Sequence, residues 1–189
     1  QTIEGQRYYY KDGKPLTGEQ QIGGAWYYLD PQSGAMQTGF VHQQASDGSG
    51  SFKVAYYGTD GKRLSGMQKV DGKQYYFSDA TGALTTGFVR YGSDGSIYFF
   101  SLDGGQLVTG EQLVHGGWRH FDEQSGAMST GFTEVSSNGG KTVYYDTFDG
   151  SMEYGEQLIN GGWYYFDTTS GAMATGWKWL DDGQKMVYY

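Results

Sequence analysis

The sequence has no cysteine and only two prolines in 189 residues. Without cysteine there is no disulfide frame, no thiol nucleophile and no thiolate metal site. With so little proline, and glycine that does not recur at every third position, a collagen-like chain is excluded. No apolar stretch approaches the roughly 20 residues that cross a bilayer as a helix, so membrane insertion is not expected. Basic residues are few as well: 13 Lys and Arg stand against 21 Asp and Glu, for a formal net charge of −8. They form no basic stripe, and nucleic acid is not an expected partner. Signatures of catalysis are missing. There is no G-x-S-x-G elbow, no H-E-x-x-H, no P-loop and no dinucleotide fingerprint. Three histidines (His42, His115, His120) are too few and too scattered for a zinc site. The sequence therefore predicts no enzyme, no metal and no cofactor in this chain.

Glycine and aromatics are what it has in plenty. There are 33 glycines, matched in number by 18 Tyr, 10 Phe and 5 Trp. That aromatic load argues against disorder, and with few aliphatics the core must be built largely from rings.

Internal repetition organises these residues. The run Trp163-Tyr164-Tyr165-Phe166-Asp167, then Ser170-Gly171-Ala172-Met173 and Thr175-Gly176, has earlier copies starting at Trp26, Gln74 and Trp118. Between them lies a unit with a tighter turn, at Asp12-Gly13, Asp60-Gly61, Asp103-Gly104 and Asp149-Gly150. Closing glycines fall at positions 18, 39, 66, 87, 110, 131, 155 and 176. The period is thus a pair of units, 44 to 48 residues long. Each unit is expected to be a β-hairpin: an aromatic strand, an Asp-Gly or Ser-Gly turn, then a short strand such as Ala172 to Thr175. Recurrent Asp30, Asp79, Asp122 and Asp167 are expected to cap turns rather than bind metal. Eight such hairpins and a final strand, Met186 to Tyr189, predict one all-β solenoid domain over residues 1–189. The array reads as a segment of a longer one, or as one whose end cap lies beyond these residues.

The pattern Gly-Gly-Trp-Tyr-Tyr-Phe-Asp…Ser-Gly-Ala-Met-Ala-Thr-Gly-Trp, Gly161 to Trp177, resembles the cell-wall-binding repeat family. That family includes choline-binding modules of Gram-positive surface proteins, glucan-binding repeats of glucansucrases and repeats of clostridial toxins. The resemblance implies a left-handed solenoid of hairpins and ligand cages of two Trp and a Tyr between hairpins. Carried onto this sequence, the implied cages are Trp163, Trp177 and Tyr188 or Tyr189; Trp118, Phe132 and Tyr144 or Tyr145; and Trp26, Phe40 and Tyr56 or Tyr57. A fourth would use Phe88 with Tyr98 or Phe99, where Gln74 replaces the first Trp. After the other closing glycines stand Glu19, Met67, Glu111 and Glu156, so those interfaces are expected to lack an aromatic wall. The implied function is non-catalytic attachment of a secreted protein to the bacterial surface, through teichoic acid choline. A catalytic domain elsewhere in the parent protein is compatible with this. Two alternatives are α-glucan or other polysaccharide binding, and a structural spacer or host-receptor adhesin. In the last, the connectors His42 to Ser51 and Glu134 to Lys141 would carry protein contacts.

Overall fold

A computed structural model describes residues 1–45, 48, 50–136, 139–180 and 185–189. Among these, every named element is a β-strand and every main pairing is antiparallel. Eight hairpins with strands of four to six residues follow two shorter pairs at the start of the chain. The chain divides into two compact units, residues 1–89 with 100–107, and residues 90–99 with 108–189. The connectors His42 to Ser51 and Glu134 to Lys141 include residues 46, 47, 49, 137 and 138, which lie outside the described residues. Their described ends belong to the strands Gly39–Gln44 and Gly131–Val135.

The hairpins close at a different turn from the expected one. In the seventh, Gly155–Ile159 pairs with Gly162–Phe166 over five residue pairs, and Asn160-Gly161 joins them. Both turn residues have positive φ, 49° and 84°. A two-residue turn of this kind matches the twist of its flanking strands, and Asn-Gly is its preferred dipeptide. The Asp–Ser-Gly turn, by contrast, leads only to the single bridge Phe166↔Met173. Five ladder pairs outweigh one bridge, so the aromatic strand takes its main partner from upstream. Among the described residues, Lys14–Pro15 after Asp12-Gly13 and Leu84–Thr85 form the short downstream strand as a ladder. The final residues also differ from expectation: Lys185–Tyr188 is the second arm of the eighth hairpin, paired with Trp177–Leu180.

This register explains the core. Six closing glycines face the last ring or aliphatic of the aromatic strand: Gly18↔Leu29, Gly39↔Tyr57, Gly66↔Phe77, Gly110↔Phe121, Gly131↔Tyr145 and Gly155↔Phe166. All six facing side chains are fully buried. Each such ring or aliphatic removes apolar area worth about 1.5–3 kcal/mol. Successive hairpins within a unit are stapled by one backbone bond from the segment after a turn glycine. Arg63 N donates to Trp26 O at 2.8 Å, Met152 N to Trp118 O at 2.8 Å, and Met173 N to Thr142 O at 2.7 Å. The side chains of Arg63 and Met152 lie over the next turn glycine. A Cβ on Gly82 would overlap Arg63, and one on Gly171 would overlap Met152.

The turn aspartates cap as expected, with one exception. Oδ1 of Asp30, Asp122 and Asp167 accepts amide hydrogens from Ser33, Ser125 and Ser170 at 2.7–2.8 Å. Asp79 stands one residue late for this role. Ser78 takes its place, accepting from Thr81 N at 3.3 Å, and Asp79 instead accepts from the Tyr76 hydroxyl.

The amide hydrogen bonds hold the carboxyls of Asp30, Asp122 and Asp167 below the usual aspartate range. A carboxyl with a depressed folded-state pKa stabilises above its unfolded value of about 3.9 and loses that contribution as pH falls through the folded value. Asp122→Ala is therefore expected to lower the thermal midpoint at neutral pH, with the two proteins converging as pH falls below the ordinary aspartate range. A difference that persists unchanged in acid would contradict this assignment.

Candidate functional site

Because side chains alternate along a strand, the residue after each closing glycine sits beside a fixed position of the partner strand. Two kinds of residue alternate there along the chain. At one kind, Phe40 stands opposite Tyr56, Phe132 opposite Tyr144 and Trp177 opposite Tyr188. The rings meet edge to face, with centroids 4.9, 4.9 and 5.4 Å apart and planes at 78°, 71° and 73°. In the first two corners the following hairpin supplies a third ring. Tyr75 lies 5.4 Å from Phe40, and Tyr164 lies 4.9 Å from Phe132. The corners open to solvent: Phe40 is 42% exposed, Phe132 43% and Trp177 70%. A groove of about 360 Å³ runs beside Phe40 and Tyr75, with Leu102 and Asp103 on its wall.

The other kind is a carboxylate. Glu19, Glu111 and Glu156 stand opposite Tyr28, His120 and Tyr165. Each accepts a tyrosine hydroxyl and faces the lysine four residues before that tyrosine. Glu19 takes the Tyr57 hydroxyl at 2.9 Å and Lys53 Nζ at 2.9 Å. Glu111 takes the Tyr145 hydroxyl at 3.0 Å and pairs with Lys141 at 3.3 Å. Glu156 takes the Tyr189 hydroxyl and lies 3.8 Å from Lys185. The pairs at Glu19 and Glu111 are buried, whereas Lys185 is half exposed. Burial, and then the neighbouring carboxylate, push the Tyr57 and Tyr145 hydroxyls far above the ordinary tyrosine range. Both therefore stay protonated and donate.

Glu19 has a second cation. Arg63 Nη1 pairs with it at 2.9 Å, and the guanidinium lies 5.1 Å from the centre of the Trp26 ring. At the fourth interface the corresponding positions hold Met67, Ser96 and Phe100, so acid, base and hydroxyl are all replaced. A ring pair recurs at all four: Tyr28–Tyr57, Tyr76–Phe100, His120–Tyr145 and Tyr165–Tyr189, 5.8–6.2 Å apart.

These faces regroup the residues singled out from the sequence. Phe40 meets Tyr56, Phe132 meets Tyr144, and Trp177 meets Tyr188. Tyr57, Tyr145 and Tyr189 turn to the glutamates instead. Trp26, Trp118 and Trp163 stand opposite Gln21, Leu113 and Leu158, on the strand face shared with Tyr28, His120 and Tyr165. Trp26 and Trp118 accordingly sit at glutamate interfaces, Trp26 under Arg63 and Trp118 in a cavity with Glu111. At Glu19 and Glu111 the interface therefore does have an aromatic wall. Sequence reasoning missed Tyr75 and Tyr164 as corner walls, although strict alternation from the neighbouring Trp or Gln marks them. It also missed Lys53, Lys141 and Lys185. Their signal is Lys-x-x-x-Tyr, present three times and ending at Tyr57, Tyr145 and Tyr189.

Stranding one member of a buried ion pair costs about 3–5 kcal/mol, so Glu111→Met alone should be strongly destabilising in urea unfolding. The triple variant Glu111→Met, Lys141→Ser, Tyr145→Phe copies the Met67, Ser96, Phe100 set and should recover more than half of that loss. Equal losses in both would show that the three positions are not coupled.

Comparison with known proteins agrees with this arrangement of repeats. Residues 1–39 and 129–179 match the family model described as a choline-binding repeat. No curated protein matches the chain in sequence. Among solved structures, it is similar to choline-binding protein F of Streptococcus pneumoniae, determined in the presence of a tetrasaccharide-pentapeptide peptidoglycan analogue. That likeness has 30% identity and a TM-score of 0.76, over 89% of this chain and 56% of the other. A structure of CbpF in complex with ipratropium gives 28% identity and a TM-score of 0.79, over 95% of this chain and 62% of the other. The chain thus spans little more than half the length of these two. CbpJ of Streptococcus pneumoniae TIGR4, at 22% identity and a TM-score of 0.67 over 98% of this chain and 82% of the other, shares the fold. Residues 1–39 and 129–179, with their paired hairpins and aromatic corners, thus match choline-binding repeats.

Proposed function

We propose that this chain is a non-catalytic module that holds a secreted protein on a Gram-positive cell surface by binding the choline of wall teichoic acids. The observation that carries the reading is the edge-to-face corner repeated at Phe40/Tyr56, Phe132/Tyr144 and Trp177/Tyr188. Ring faces attract a cation, at about 0.5–1 kcal/mol each when exposed and more when desolvated. A trimethylammonium group suits such a corner because its charge is spread over methyl groups that also gain from apolar contact. Tyr75 and Tyr164 add a third face at the two Phe corners, which offsets the weaker pull of Phe compared with Trp. The net charge of −8 favours a cationic group over an anionic one. Each corner alone is weak, and several engaging one polymer gain through effective concentration. Any catalytic activity of the parent protein belongs to another part of it.

The test is retention on a choline or tertiary-amine resin with release by free choline, followed by calorimetric titration. Phe132→Ala and Trp177→Ala are each expected to remove one site and to weaken resin retention at least tenfold in combination. Retention on dextran that choline does not disturb would replace this reading by polysaccharide binding. Absence of either interaction would leave the spacer or adhesin role.

A further inference from the structure

The interfaces at Trp26 and Trp118 have the same frame. In each, a residue after the turn glycine donates its backbone N–H to the tryptophan carbonyl at 2.8 Å: Arg63 to Trp26, Met152 to Trp118. In each, that residue's side chain lies over the next turn glycine, Gly82 or Gly171. A lysine reaches the carbonyl one residue before that glycine at 2.6 Å, Lys53 to Thr81 and Lys141 to Ser170. A buried tyrosine hydroxyl donates to the glutamate in both, Tyr57 to Glu19 and Tyr145 to Glu111.

One thing differs between them. At Trp26 the space between indole and carboxylate is filled by the Arg63 guanidinium, which is almost completely buried. At Trp118 the equivalent residue is Met152, which ends in a thioether. A cavity of about 160 Å³ lies there, lined by Glu111, Trp118, Lys141, Met152, Tyr154 and Ser170. That is well above the space one water requires.

From this internal comparison we infer that the Glu111–Trp118 cavity is a binding site for an alkylguanidinium group supplied from outside the chain. The site offers such a group what Trp26 and Glu19 offer Arg63. The plane of the guanidinium stacks on the indole face, and its N–H groups donate to the carboxylate. Glu19 pairs with both Lys53 and Arg63, and a guanidinium beside Glu111 would stand to Glu111 and Lys141 as Arg63 stands to Glu19 and Lys53. Met152 is unbranched and can shift its terminal methyl to admit the ligand. Partial exposure of Trp118, at 44%, provides the way in. This site lies apart from the aromatic corners and does not rest on the choline reading.

Methylguanidinium titrated into the full chain, followed by calorimetry and by the indole N–H resonances, is expected to bind with one equivalent and to shift the Trp118 signal. Met152→Arg supplies the missing guanidinium from within and should weaken binding at least tenfold, with the choline response of the aromatic corners unchanged. Trp118→Leu, at a partly exposed position, should weaken it similarly even if Met152→Arg folds poorly. Arg63→Met should open the equivalent space above Trp26 and raise the stoichiometry to two. Undiminished binding in Met152→Arg or in Trp118→Leu, no binding to the parent chain at millimolar methylguanidinium, or equal displacement by choline would overturn the inference.

Discussion

The antiparallel register that sets six closing glycines each opposite a buried ring or aliphatic side chain is the constraint on which the other positions depend. Once Gly131 faces Tyr145 or Gly155 faces Phe166, the strand period of two leaves no freedom in the rest of the hairpin. The next residue along must stand opposite the side chain before the ring, on the other face. A slip of one position would bury Tyr144 or Tyr165 in place of the fully buried ring and expose the spine of the molecule. The closing glycines accept positive φ at hairpin ends, while the turn glycines Gly61, Gly82, Gly150 and Gly171 let a preceding Met or Arg lie directly on the turn.

Alternation along this register produces two chemically distinct interfaces from one backbone. Where the position after the glycine is Phe or Trp, two rings form an open corner and a third can join from the next hairpin. Where it is Glu, the carboxylate is drawn inward by a tyrosine hydroxyl and a lysine. A buried ion pair is weak evidence of stability, because desolvation opposes the attraction. Its value here is geometric: the lysine anchors to a carbonyl of the following turn, as Lys53 does at Thr81 and Lys141 at Ser170, and so ties neighbouring repeats in register. At the corresponding positions of the fourth repeat stand Met67, Ser96 and Phe100, and Tyr76 packs its ring against Phe100. Acid, base and hydroxyl change together because leaving any one of them alone in a dry interface would strand a polar group.

Much of this was legible in the residues. Fold class, the paired period and the turn-capping role of Asp30, Asp122 and Asp167 follow from spacing and composition. So do the aromatic positions Phe40, Phe132 and Trp177, since they occupy one place in a repeat. The hairpin pairing was less legible. Asn160-Gly161 and Ser170-Gly171 are both credible turns, and choosing between them requires knowing which neighbouring strand can form the longer ladder. The implied cages group each Trp with the aromatic after the next closing glycine, whereas strand alternation sets it on the face of the preceding glutamate. Trp118 and Phe132 are close in the repeat, yet Trp118 shares its face with His120 and therefore with Glu111.

Sequence alone determined that the chain is an all-β array with aromatic sites at regular intervals, because repetition, turn dipeptides and strand propensity are local properties. Only the tertiary structure decided which rings meet, which tyrosines turn to carboxylates, and that the place filled by Arg63 over Trp26 is a cavity beside Trp118. Those outcomes depend on contacts between residues some 30 to 40 positions apart, where a change such as Arg63 to Met152 leaves the local pattern intact and alters only what its neighbours in space can touch.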